Sequence, residues 1–417
     1  MIRRIPGLAP ACLSLLLSLS LLLSWSALAE DAHVLTLGQA LERSLASNAG
    51  LAALEAELDA AQARARRESL AAPLSLGVEL ENLGTDGRET TVRLTRPIEL
   101  GGKRQARQAL GEAEVARARH QGQVSRREME ASCRRQFIEV LADQRRLQMA
   151  RELLGLATRA RDEVAAAVRS GRNPETDLHA AELALADAEL ELEHAGHELA
   201  AARVTLASIW GAREPDFGSV AGNLDELPAM ESLELLAARL EQSPRQREAR
   251  LAAQATAARR ELARANARPD LSAALGVRRL EGFDDHALVM SVSMPLGTHR
   301  RASLEMREME AHAQAQDLRR AQSLLDAYQQ LYEQYQELLH SRAEIDTLRD
   351  RMLPGAARSL ELARRGFEAG RFPFQVLAQS QSRLSDLRRR QVEAAVRHHQ
   401  LWIGIELLAP RNEEAAP

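Results

Sequence analysis

"TRPIELGGKRQ", residues Thr95 to Gln105, joins two kinds of chain. Before it, "ETTVRL" alternates apolar and polar residues with the period of a β-strand. After it the pattern is helical and no proline occurs until Pro174. From Gly102 to about Arg169 the helix would be on the order of 100 Å long at 1.5 Å per residue. A short strand therefore feeds, through Pro97 and the pair Gly101-Gly102, into an unusually long helix. Proline removes a ladder donor at a strand's end, and glycine permits a sharp redirection. These three residues mark the expected strand-to-helix junction.

The pattern occurs twice. "SNAGLAALEAELDAAQARARRESLAAPLSL" from Ser47 matches "SPRQREARLAAQATAARRELARANARPDLSA" from Ser243 at an offset of 196, which also pairs Pro73 with Pro269. "GRNPETDL" from Gly171 matches "GRFPFQVL" from Gly370 at an offset of 199. A repeat decides architecture before any local signal does. The fold class is mainly α with a small β part, built from a duplicated helix-strand-strand-helix-helix unit. The repeats are expected over 30–220 and 221–410, with a disordered tail at 411–417. In the second copy the junction is Pro295 and Gly297, with one glycine instead of two. Its long helix, about Arg300 to Ala369, contains Pro354, so a bend is expected from Met352 to Gly355.

Leu74, Leu76, Val78 and Leu80 alternate with Ser75, Gly77, Glu79 and Glu81; Val92 and Leu94 oppose Arg93 and Thr95. Copy two sets Leu271, Ala273, Leu275 and Val277 against Ser272, Ala274, Gly276 and Arg278, and returns with Leu288, Met290, Val292 and Met294 on one face. One apolar and one polar face result, a pattern that an ordinary half-buried hairpin shares.

In the turn after the first long helix, Gly171 is the expected stop, Asn173 the N-cap and Pro174 the first helical residue. The second turn has Phe372 at the cap position, which implies that Phe372 or Phe374 is held by packing or a partner. The helix after Pro174 carries a heptad of Leu178, Leu185, Leu192, Leu199 and Leu206 beside Ala181, Ala188, Ala195 and Ala202. A second stripe of Leu183, Leu190, His197 and Val204 calls for a second neighbour. The short helices before the strands and after the turn, about 24 and about 36 residues, together nearly match the long helix in length. They fit end to end beside it, with the strands at one extreme and the turn at the other.

Arg3 and Arg4, the apolar run Leu13–Leu23 and "SALAED" read as a secretory signal peptide over 1–29. Cys12 precedes the apolar run, so it is not a lipidation site. The chain beyond Ala29 keeps 59 acidic residues and 53 of the 55 basic ones, a net charge of −6, which does not suit a nucleic-acid partner. Cys133 is then its one cysteine, which excludes an internal disulfide. Lys103 is the one lysine, read as codon bias.

No catalytic motif is present, and neither a cofactor nor a metal centre is expected. His194, His197 and Glu198 are metal-ligating types within a turn, but they read as a helix face; His398 and His399, being adjacent, point apart. The two turns collect charge: Asp162, Glu163, Arg169, Arg172, Glu175 and Asp177 at the first, Arg364, Arg365, Glu368 and Arg371 at the second. Ordinary solvated charge explains any one of them equally well.

Four strands cannot close a barrel in lipid, so strands that span a membrane require several chains. "RPIELGGKR", the duplicated layout and "EAGRFPFQVLAQSQSRL" resemble the TolC-type outer-membrane efflux channels, the first motif most like the CzcC-type branch for heavy-metal cations. The resemblance covers essentially the whole chain beyond the leader. It implies a homotrimer with a shared 12-stranded β-barrel in outer-membrane lipid, continuing into a periplasmic α-barrel tunnel. It also implies an RND-type inner-membrane pump and a periplasmic adaptor as partners. On the same ground Gly171, Arg172, Gly370, Arg371 and Phe372 are expected to meet the adaptor, while Asp162, Glu163, Arg169, Asp177, Arg364, Arg365 and Glu368 are candidate gate charges. A periplasmic adaptor or a soluble coiled-coil scaffold of the envelope is the alternative reading.

Overall fold

Gly101 (φ 80°) and Gly102 (φ 76°) occupy the left-handed region in succession, a conformation open to glycine and costly for residues with a β-carbon. They turn strand β3 (Glu89–Ile98) into helix α3 (Lys103–Arg169), 67 residues long. Both belong to a computed structural model that describes residues 34–84 and 87–411. The expected signal peptide and residues 412–417 lie outside the described residues. Arg411, assigned to the tail from sequence, is instead held by Glu231 at 2.6 Å.

The order is β1 (Val34–Thr36), α1 (Leu37–Ser47), α2 (Ala49–Glu68), β2 (Ser75–Glu81), β3, α3, α4 (Glu175–Ser208), β4 (Ser219–Ala221), α5 (Leu233–Arg239), α6 (Pro244–Asn266), β5 (Leu271–Leu280), β6 (Asp285–Ser293), α7 (Thr298–Thr347), α8 (Leu353–Glu368) and α9 (Phe374–Leu408). Helices α2 and α4 pack along α3, while α6 and α9 pack along α7 and also reach α3. The helical wall therefore runs α2/α4, α3, α6/α9, α7/α8 from edge to edge. Two short helices do lie beside each long one, as their lengths require.

β2, β3, β5 and β6 form one antiparallel sheet in that order, so the hairpins of the two copies meet at β3 and β5. The register stacks Leu76, Leu94, Leu275 and Met290 in one row and Val78, Val92, Val277 and Leu288 in the next. This apolar face is bare: Leu76 is 71% and Met290 77% exposed. Among the described residues β2 and β6 are edge strands without an outer partner.

On α4 the alanine seam is buried, together with Leu199 and Leu206. Small side chains let the helix lie close to α3. The second stripe is exposed, Leu183 at 69%, and so are Leu318, Leu325, Tyr332 and Leu339 of α7 at the opposite edge of the wall. Of the two neighbours expected for α4, the chain supplies α3 along the alanine seam, while the second stripe stays exposed.

Two local expectations need correction. Pro354 has no N–H to give the carbonyl four residues back, and its ring crowds that turn. The irregularity accordingly lies mostly before it, as a π-helical segment over Leu348–Met352 that reaches the expected window only at its edge, and α8 starts at Leu353. Pro174 (φ −75°, ψ 157°) is the N-cap of α4, one position later than expected, since its own extended ψ holds it outside the helix, which starts at Glu175. Asn173 Nδ2 instead donates to Asp177 Oδ2 at 2.8 Å. The parallel pair β1–β4 was not anticipated, since three-residue strands are too short to show a period.

The junction motif is stapled by its cations. Lys103 Nζ lies 2.7 Å from Asp270 Oδ1, which also accepts from Leu100 N at 3.1 Å. Arg107 grips Glu99 at 2.6 and 3.1 Å. Arg107 Nε also donates to Glu68 O at 3.0 Å, and Arg104 Nε to Ser69 O at 2.6 Å. These carbonyls end α2 and have no partner within that helix. The chain's one lysine thus ties copy one to copy two, a role that codon bias does not explain.

Lys103→Met should cost roughly 1–3 kcal/mol, the scale of a hydrogen bond to a charged group, read from denaturant unfolding of the purified protein. A second expectation concerns pH. His398, fully buried, places Nδ1 2.9 Å from Ser341 Oγ, while its Nε2 has no hydrogen-bond partner among the described residues. Burial, with His399 and Arg342 nearby, pushes its pKa down to about 4 from an ordinary 6.5. The unfolded chain then binds the extra proton first, so stability is full above about pH 6.5 and falls as the pH drops towards 4. His398→Gln should flatten melting temperature against pH between about 6.5 and 5, above the range where ordinary carboxylates titrate.

Candidate functional site

"GRNP" and "GRFP" fold into the same turn. Gly171 (φ 71°) donates to Val168 O at 2.9 Å and Arg172 N to Ala167 O at 2.9 Å. Gly370 (φ 67°) donates to Phe367 O at 2.9 Å and Arg371 N to Gly366 O at 2.8 Å. Both are Schellman stops, and in both a proline then caps the returning helix.

The two turns are packed together at one end of the wall. Ala160, Val164 and Ala181 of the first meet Phe367, Phe374 and Leu377 of the second. Phe367 and Phe374 meet edge to face at 6.0 Å, an arrangement that adds to their burial. Phe374 is thus the phenylalanine fixed by packing. Phe372 lies over Gly366, where a β-carbon would fall 2.1 Å from its Cδ2, yet 44% of the residue remains exposed.

Between the turns lies a groove of about 700 Å³ lined by Glu163, Arg172, Asp177, Glu368, Arg371 and Phe372. Gly370 lines it too, so the structure brings together seven of the residues named from sequence for adaptor contact or gate. The others stand apart. Asp162 pairs with Arg161 at 3.0 Å, and Arg169 is exposed at the end of α3. Arg364 sits between Glu361 (3.2 Å) and Glu368 (3.6 Å), and Arg365 holds Glu361 at 2.8 Å. These pairs lie within α8, so they stiffen that helix and do not tie one turn to the other. Exposed pairs of this spacing contribute about 0.3–0.5 kcal/mol each. Glu361 and Gly366 were missed. The i,i+3 and i,i+4 spacing of Glu361 from two arginines was a usable signal, whereas the contact of Gly366 with Phe372 had none.

Pro97 pairs with Ser272 near the end of β3, and Gly297 (φ 84°) precedes α7 as its N-cap. Pro295 lies just past the end of β6. His194 meets Glu198 at 3.1 Å and His197 meets Glu193 at 3.6 Å, two separate exposed pairs. Among the described residues no group of three His, Cys, Asp or Glu is placed to hold a metal ion, and no helix is long and apolar enough to cross a membrane.

Residues 40–212 match the family described as outer membrane efflux protein. The chain is 32% identical over 364 residues to the cobalt-zinc-cadmium resistance protein CzcC of Cupriavidus metallidurans, across 87% of this chain and 86% of that one. Its fold matches CusC, a protein solved in the context of transmembrane channel formation, with a TM-score of 0.75 at 16% identity, covering 90% and 92% of the two chains. It also matches the open-state MtrE outer membrane channel of Neisseria gonorrhoeae, with a TM-score of 0.72 at 18% identity over 89% and 88%.

Phe374→Ala should cost roughly 3–5 kcal/mol, the range for emptying a buried aromatic site. Thermal unfolding checks the loss, and protease cutting near Gly171 and Gly370 should appear with it.

Proposed function

Because the chain belongs to the outer membrane efflux protein family, of the TolC type and similar to its CzcC branch, we propose that three copies assemble into one passive exit duct. The observation that carries this is the unfinished state of the single chain. Its sheet has two open edges and a bare apolar face. In lipid such a sheet must close into a barrel, and three copies supply twelve strands. The strands, of 7 to 10 residues, suit a tilted crossing of the hydrocarbon layer.

The repeat supports the same reading for the helices. Inside one chain α3 receives α6 and α9 of the following repeat. By the duplication, α7 and α8 would receive α2 and α4 of the next copy. Val204 lies 29 residues after Glu175, and Leu339 lies 29 residues before Glu368, so the two exposed stripes stand at equal heights above the turns. A head-to-tail contact of this kind closes as a ring when its rotation completes a circle, and three copies are the proposed closure.

On this reading residues 30–220 and 221–410 are the two repeats, an N-terminal leader exports the chain, and the helical part lies in the periplasm. An inner-membrane pump of the RND type supplies the energy, and a periplasmic adaptor docks at the groove around Arg172, Arg371 and Phe372. Heavy-metal cations are the proposed cargo. The likeness to CzcC supports this, as does α4, with eight carboxylates against one arginine. The duct itself catalyses nothing.

The channel is tested by reconstituting the detergent-extracted protein in planar bilayers, with its mass measured by light scattering. A trimer that conducts is expected; a soluble, non-conducting monomer would remove the reading. Arg364→Gln with Arg365→Gln should raise conductance by loosening α8 at the gate, and unchanged conductance would remove these two from it.

A further inference from the structure

The face of the sheet opposite the apolar rows carries charge at the end far from the helices. Arg93 stands in register between Gly77 and Gly276 and forms an ion pair with Glu79. Glycine is needed beside it, because a β-carbon on Gly276 would fall 2.5 Å from Val92 O and 3.2 Å from Arg93 Cβ. One strand away, Arg278 binds Glu89 at 2.8 Å and approaches Glu81 at 3.6 Å. Its Nε also donates to Thr91 Oγ1 at 3.1 Å, and Thr91 is almost fully buried beneath it. The charges thus form a band fixed across β2, β3 and β5, with Glu79, Glu81 and Glu89 outnumbering Arg93 and Arg278.

Resting on the channel reading, we infer that this band is the ionic filter of the duct's outer mouth, selecting cations, with Arg93 and Arg278 limiting how strongly it does so. If the apolar rows face lipid, the band faces the lumen. It lies towards the loop end of the strands, near where leaving cargo would exit. Three copies place the band three times around one mouth, each with one carboxylate in excess. A ring of fixed charge concentrates counter-ions in the pore. Its reach depends on salt, since the screening length is about 30 Å at 0.01 M and about 3 Å at 1 M. A wide mouth is therefore selective in dilute salt and indifferent in strong salt. A ladder serving only to fix strand register would show no such dependence.

The experiment is the K⁺ to Cl⁻ permeability ratio of the reconstituted full-length protein under a KCl gradient. The wild-type ratio should exceed one in dilute salt. Arg93→Gln and Arg278→Gln should each raise it by roughly twofold or more, and Glu79→Gln with Glu89→Gln should bring it to one or below, all converging near 1 M. Glu81→Gln, which gives up only the 3.6 Å contact, keeps the test available if an arginine variant fails to insert; it should lower the ratio. Ratios equal to wild type in dilute salt would overturn the filter while leaving the channel intact. A wild-type protein that does not conduct would overturn the channel reading first, and the filter with it.

Discussion

An unpaired strand edge cannot remain in lipid, because each bare N–H and C=O there costs several kcal/mol. Much else in this chain follows from that constraint. Its four-stranded sheet ends in β2 on one side and β6 on the other, with leucine, valine and methionine covering one face. On the proposed reading, the sheet closes by joining copies of itself. The helical wall has the same property in another form. Its inner seams, such as Ala181, Ala188 and Ala195 against α3, are closed, while its outer stripes are open at both edges.

The duplication turns these open edges into a rule for assembly. What α6 and α9 do to α3 within the chain is a pattern for what α2 and α4 would do to α7 and α8 of the next copy. The junction residues keep sheet and wall in a fixed relation. Gly101 and Gly102 make the turn, and Lys103, gripping Asp270, makes one copy's turn depend on the other's strand. The opposite end is held by different chemistry. Phe367 and Phe374 pack the two turns together, while the charges around them line an open groove or pair along single helices.

Much of the fold was legible because its elements are long and strictly periodic. Alternation over Leu74–Glu81 and heptads from Leu178 to Leu206 leave little room for another reading. What escaped depended on geometry beyond a few residues. β1 and β4 pair across 185 positions with three residues each. Asn173 looked like a cap until the proline after it took that place. Lys103 is a case where the signal existed, a lone lysine beside a double glycine, and was assigned to codon usage. At the turns, sequence gave the charged residues but not their partners. Arg364 and Arg365 face Glu361 on their own helix, a partner that its spacing of three and four residues could have named.

The central claim is that the two edges of the wall meet in a neighbouring copy. It is tested most directly by placing Val204→Cys and Leu339→Cys in one chain and treating envelopes with a short thiol cross-linker. Both positions are exposed in the single chain, and Cys133 is buried away from the reagent. The account predicts a covalent trimer on a denaturing gel, reached through a covalent dimer and absent from either single variant. A chain that stays monomeric in the gel, although both thiols react, would contradict it.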